Sequence, residues 1–167
     1  VALASQEFSL IDNLSVAENI FLSALPTKNY KIDDRELRKK AKELLDLVGL
    51  EQSLLEVPAG NLSLAEKQLV ELAKSLSLPI DRTSLLILDE PTAALNSFQA
   101  DRLHNILLDR VKKGVSILYV SHRLEDVLFV CDEVSVLHEG EIKLTSDTSK
   151  LTSKALIEVM TGRELQR

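Results

Sequence analysis

The sequence predicts an α/β protein in which a parallel-sheet core is joined to an α-helical subdomain. Three observations carry this expectation. Residues 85–88 and 115–120 are continuous apolar runs, the pattern of strands covered on both faces in a parallel sheet. Between them, residues 97–113 keep a helical period with apolar Leu103, Ile106, Leu107 and Val111, ended by Gly114, so that strand, helix and strand form a βαβ unit. Upstream, residues 13–77 carry repeated helix-start signals and 3.6-residue apolar spacing.

In chain order, Val1-Ala2-Leu3 reads as the last part of a strand already under way. Ser15-x-x-Glu18 is a capping box opening a short helix that continues through Asn19 to Leu22. A polar stretch, residues 26–31, separates it from a longer helix capped by Asp33 and apolar at Leu37, Ala41, Leu44, Leu45 and Val48, with Gly49 as its stop. A second capping box, Ser63 with Glu66, opens a helix that buries Leu69, Val70, Leu72, Ala73 and Leu76. After the βαβ unit come a short helix near residues 125–130 and two alternating runs, 133–138 and 141–145. The turn Glu139-Gly140 joins those runs, which are expected to close the sheet as a hairpin. A last helix is expected over residues 153–160, with Gly162 after it.

Composition narrows the function. A chain of 167 residues, 45% hydrophobic and 28% charged, has enough apolar material for an ordinary core. A formal net charge of −6 without a basic stripe leaves nucleic acid without its main attraction, so no nucleic-acid partner is expected. The single cysteine, Cys131, excludes an internal disulfide and suits a reducing compartment. No apolar run approaches the roughly 20 residues of a membrane span, so any membrane association runs through a partner.

Ligands of open α/β sheets sit beyond the carboxyl ends of the strands. The strand ending at Leu88 delivers Asp89 and Glu90 there; the strand ending at Val120 delivers Ser121 and His122. An apolar strand ending in Asp-Glu is the Walker B arrangement of P-loop NTPases. Asp89 is the candidate to hold Mg²⁺, directly or through water, and Glu90 to polarise an attacking water. His122 is a candidate to hydrogen-bond a γ-phosphate oxygen. The plainer readings are two solvated acids and a satisfied histidine at strand ends. Against the nucleotide reading stands an absence: Gly49, Gly60, Gly114, Gly140 and Gly162 never fall in the spacing G-x-x-x-x-G-K-[ST], so the loop that cradles β- and γ-phosphates is not encoded here.

Leu86-Ile-Leu-Asp-Glu-Pro-Thr-Ala-Ala-Leu95 followed by Ser121-His-Arg-Leu-Glu125 resembles the Walker B, D-loop and H-loop of ABC ATPases in order and spacing. Leu62-Ser-Leu-Ala-Glu-Lys-Gln68 resembles their signature motif. The stretch from Gln6 to Ile20 is similar to their Q-loop and the start of the helical subdomain. Ala17-Glu-Asn-Ile-Phe21, Gln68-Leu-Val-Glu-Leu-Ala-Lys74 and Met160-Thr-Gly-Arg-Glu-Leu165 are similar to the first, N-terminal module of the ribose- and galactose-type sugar-importer branch. The resemblance implies a partial P-loop NTPase core of ABC type, truncated at both ends. Residues 1–12 would be the Q-loop end of the core, 13–77 the helical subdomain with the signature motif, 78–145 the core with Walker B, D-loop and H-loop, and 146–167 a C-terminal helix leading to a linker. It further implies ATP and Mg²⁺ as ligands, hydrolysis of ATP, transmembrane permease subunits and a second ATPase module as partners, and a peripheral place on the cytoplasmic face of the plasma membrane.

By the same resemblance, Gln6 touches Mg²⁺ or water and reports to the membrane partner, while Asp89, Glu90 and His122 keep the roles above. Ser63, Leu64, Ala65 and Glu66 head a helix whose N-terminus faces the γ-phosphate held by the opposite module, and Asn96 closes the D-loop. Two residues depart from the family pattern. Ala65 stands where a glycine is usual, so its methyl could hinder backbone approach and would cost more if φ were positive there. Asn96 stands where an aspartate is usual and lacks its charge. Both put in doubt the nucleotide site that this signature completes. Two alternatives stay open: a non-catalytic fragment that folds, dimerises or docks, and a non-transport ABC-type ATPase of DNA repair, disfavoured because only short helices separate Gln6 from Ser63.

Overall fold

The computed structural model describes residues 1–4, 8–22, 25–28, 31–79 and 84–161. Gln6 and Gly162 lie outside them. The chain divides into two compact units, residues 1–120 and 121–167.

The first unit runs β1 (Ala2–Ala4), α1 (Val16–Phe21), the paired dipeptides β2 (Thr27–Lys28) and β3 (Lys31–Ile32), α2 (Asp34–Val48), α3 (Leu64–Leu76), β4 (Leu85–Asp89), α4 (Ser97–Lys112) and β5 (Ser116–Val120). The strands β1, β4 and β5 form a parallel sheet in that order, with Ala4 opposite Leu88 and Asp89 opposite Val120. The helices start where the side chains say they should. The Ser15 hydroxyl accepts from the Glu18 N–H at 3.2 Å, and the Asp33 carboxylate from the Glu36 N–H at 3.1 Å. Gly49, at φ 83°, ends α2 in the left-handed conformation that glycine adopts without strain. Helix α3 packs against α1, α2 and β1, so it joins the helical part to the sheet.

Residues 13–77 are not helical throughout. Pro26 lacks an N–H and favours extended backbone; its carbonyl accepts from the Asp33 N–H at 2.8 Å, and the chain between closes into the short β2–β3 pair, Thr27 opposite Ile32. Residues Gln52–Glu56 and Ala59–Asn61 are 3₁₀ turns. Asn19, fully buried on α1, fixes the approach to that helix. Its amide oxygen accepts from the Ile11 N–H at 2.7 Å, and its amide nitrogen donates to the carbonyls of Ile11, Leu14 and Ser15.

The sheet also differs from the expectation of burial on both faces. Leu86 and Leu88 are buried on the face they share with Ala2 and Ala4, whereas Leu3 and Leu118, either side of Ile87 in register on the other face, are 58% and 52% exposed.

The second unit contains α5 (Leu124–Val130), β6 (Glu133–His138), β7 (Glu141–Asp147) and α6 (Ser153–Met160) around Val136, Leu156 and Val159. The hairpin is present, with a register shift between Val136 and Leu137, but it does not close the parallel sheet: β6 and β7 form a two-stranded sheet of their own. The hairpin has a core of its own: Val134, Val136 and Leu144 pack with Leu156 and Val159 of α6, while polar Glu133, Ser135, Glu141, Lys143 and Thr145 alternate with apolar residues, the pattern of a sheet with one wet face.

Candidate functional site

The candidate site begins where β4 stops. Leu86 and Leu88 anchor the strand in the core, which leaves Asp89 and Glu90 half-buried at its carboxyl end, neither sealed inside nor free in solvent. The Glu90 N–H donates to the Val120 carbonyl at 2.9 Å, extending the β4–β5 ladder one residue beyond Asp89. Glu90 itself has φ 48°, a conformation that costs a non-glycine residue free energy and that concentrates at functional sites. It turns the chain sharply off the strand. The Glu90 carbonyl then accepts from the Ala93 N–H at 3.2 Å and the Thr92 carbonyl from the Leu95 N–H at 3.1 Å, two successive turns around fully buried Thr92. They deliver Asn96 to the head of α4. Its side chain accepts from the Gln99 N–H at 2.9 Å, and its own N–H donates to the Gln99 side chain at 3.1 Å. Asparagine caps a helix about as well as aspartate, so the departure at Asn96 leaves the local fold intact.

The segment headed by Ser63 is equally well defined. The Ser63 hydroxyl donates to the Glu66 carboxylate at 2.6 Å, the Ser63 N–H donates to it at 2.7 Å, and the Glu66 N–H donates back to the hydroxyl at 3.3 Å. The hydrogen bond from the hydroxyl, then that from the backbone, holds the Glu66 carboxyl below the ordinary glutamate range, against a smaller opposing effect of burial. Leu64 is 62% exposed and Ala65 half-buried. Ala65 lies inside α3 and is not among the residues of positive φ, so the strain expected if a glycine conformation were required does not arise; only the methyl group's bulk remains to be considered.

This cap can be tested by itself. Ser63→Ala is expected to lower unfolding stability by about 1 kcal/mol in urea titration. Because the folded-state pKa of Glu66 is depressed, its share of the cap is fully present above the unfolded pKa and fades as pH falls through the folded one. The difference between the parent chain and S63A should therefore shrink on acidification.

His122 is exposed and lies two residues beyond β5, at the start of the second unit. Beside it the Arg123 N–H donates to the Ser121 hydroxyl at 3.0 Å, and the Arg123 guanidinium lies 3.3 Å from the buried Asp126 carboxylate. Gln6 falls outside the described residues. Among the described residues no group of three or more His, Cys, Asp or Glu side chains is gathered for a metal, and no helix is long and apolar enough to cross a membrane. The donor set at the end of β4 is one or two carboxylates. That suits a hard cation retaining water and phosphate ligands, not one caged by protein alone.

One polar cluster was not legible beforehand. Ser9, Glu71 and Lys74 are joined by hydrogen bonds between the start of the chain and α3. The available signal was an acid, Glu71, in the middle of the apolar stripe Leu69, Val70, Leu72 and Ala73.

Comparison with known proteins gives a consistent picture. The profile of the ABC transporter family matches residues 1–93. A ribose import ATP-binding protein from Chromobacterium violaceum is 37% identical over 165 residues, covering 99% of this chain and 32% of that protein. A putative ribose/galactose/methyl galactoside import ATP-binding protein from Agrobacterium fabrum is 36% identical, again over 99% of this chain and 32% of that protein. The chain thus spans about a third of the length of these curated relatives. Among solved structures, a dimeric post-hydrolysis state of an ATP-binding cassette bound to ADP and Pi superposes with a TM-score of 0.76 at 23% identity, covering 88% of this chain and 63% of that one; at that identity the likeness concerns the fold.

Proposed function

We propose, since this chain belongs to the ABC transporter family, that it serves in an ATP-binding and ATP-hydrolysing subunit that energises sugar import. The observation that carries the reading is the pair Asp89-Glu90, brought half-buried to the carboxyl end of β4 with Glu90 held at φ 48°. Glu90 is the general base that orients and polarises the attacking water. Asp89, with Gln6, would hold Mg²⁺, which when bound would neutralise charge on the phosphate oxygens. His122 donates a hydrogen bond to the γ-phosphate. Ser63, Leu64, Ala65 and Glu66 present the N-terminus of α3 to the nucleotide of a second module, and Asn96 lies at the contact between modules. Ala65 and Asn96, standing where a glycine and an aspartate are usual, put that trans site in doubt as a strong nucleotide site.

The functional division that follows is 1–12 and 78–145 as core, 13–77 as helical subdomain and 146–167 as the passage to a linker. The partners are a second ATPase module and permease subunits, at the cytoplasmic face of the plasma membrane. Both curated relatives carry sugar-import names, which supports ribose or a galactoside as cargo. The test is uptake by vesicles holding the full-length protein and its permease. ATP-dependent accumulation of labelled ribose or galactoside supports the assignment, and equal accumulation without ATP overturns it.

A second reading is favoured by one observation. The 167 residues contain no G-x-x-x-x-G-K-[ST], so the chain alone has no loop to grip β- and γ-phosphates. Taken by itself it would fold and dock without hydrolysing ATP. Micromolar ATP binding by the isolated chain in equilibrium dialysis would contradict this.

A further inference from the structure

Ser9, three residues after Gln6, has every polar group committed to α3. Its N–H donates to the Glu71 carboxylate, and its hydroxyl donates to the same oxygen at 2.8 Å. The Lys74 ammonium donates to the Ser9 carbonyl at 3.1 Å and to its hydroxyl oxygen at 2.6 Å. Glu71 is 1% exposed. A carboxylate is costly to bury and is tolerated only where hydrogen bonds or cations satisfy it. An apolar residue would fill that position on α3 at lower cost, so packing alone does not account for Glu71. What the acid gains is a grip on one residue 62 positions away in the chain. The helix that holds it is the one headed by Ser63, and it packs against β1, the strand that leads into Gln6.

We infer that Glu71 and Lys74 are positioning residues that lock Ser9, three residues after Gln6 in the sequence, to the helix headed by Ser63, so that a shift of the chain at Ser9 and a shift of that helix are coupled. The clasp rests on the roles of Gln6 and Ser63 proposed above. Its consequence is coupling: a displacement imposed by the membrane partner at Ser9 is carried to the helix headed by Ser63 without loss.

The experiment uses the full-length protein assembled with its permease and compares Glu71→Gln, Lys74→Met, Lys74→Arg and Gln6→Ala. The readout is the ratio of ATPase activity with and without stimulation by transported sugar, together with KM for ATP. Glu71→Gln and Lys74→Met are expected to cut the stimulation ratio at least about five-fold. Their KM for ATP should stay within about two-fold, because neither residue touches nucleotide. Lys74→Arg, which keeps a cationic donor, should retain most of the ratio. If Glu71→Gln fails to fold, Lys74→Met, which alters a half-buried side chain, decides the matter. An undiminished ratio in folded Lys74→Met overturns the clasp. Gln6→Ala separates the two ideas: a ratio lost in Gln6→Ala but kept in Lys74→Met sinks only the clasp, and the reverse pattern sinks the role of Gln6 and, with it, the link between two nucleotide contacts that the clasp was inferred to make.

Discussion

Glu90→Gln in the full-length protein is expected to lower ATP turnover by about 10²–10⁴-fold, the usual contribution of a positioned general base. Glutamine keeps the length of the side chain and the backbone N–H that donates to the Val120 carbonyl, so the loss should appear in kcat with little change in melting behaviour. The control is a residue that strains the backbone instead. Glu90→Val places a β-branched side chain at φ 48° and should destabilise the fold by roughly 1–3 kcal/mol in addition to abolishing hydrolysis. Steady-state turnover and denaturant unfolding measured on both variants separate chemistry from strain. Turnover in E90Q equal to that of the parent would remove the assigned role.

The second large effect concerns the strand that carries the site. Leu88 is fully buried in β4, between β1 and β5. Leu88→Ala is expected to cost about 2–5 kcal/mol, the range for emptying a leucine site in a core, against a total of roughly 5–15 kcal/mol for a domain. Leu3→Ala, at 58% exposure on the opposite face, should cost little. A urea titration showing equal losses at the two positions would contradict the one-sided core.

What the sequence revealed follows the range of the interactions involved. Local devices were readable: the boxes Ser15–Glu18 and Ser63–Glu66, the cap at Asp33 and the stop at Gly49 each act within four residues, and the structure contains all of them. The Asp89-Glu90 pair was legible because an apolar strand must end somewhere, and the first polar residues after it mark the rim. The conformation of Glu90 was not, because no local sequence signal demands a positive φ of a glutamate, and the Val120 carbonyl that its N–H meets lies on another strand. Long-range polar contacts were equally silent. Ser9 meets Glu71 across 62 residues, and the Arg102 guanidinium donates to the Leu47 carbonyl at 2.8 Å and to the Asp46 carbonyl across more than fifty. Periodicity reports which face is wet and says nothing of which distant partner neutralises a charge. The hairpin shows the same limit: alternation identified two strands, but their pairing with the parallel sheet was a matter of tertiary placement.

The uncovered side of the parallel sheet has a practical meaning for anyone handling the chain. Leu3, half-buried Ile87 and Leu118 set three branched hydrocarbons in a row across adjacent strands, and among the described residues no further strand pairs with the outer edges of β1 and β5. Water wets such a strip poorly, and backbone groups at either border invite a foreign strand. Purified by itself, the polypeptide would therefore behave as an adhesive particle whose solubility depends on dilution, and a detergent or an added helix laid over that strip would do more for its yield than any change at the acidic rim.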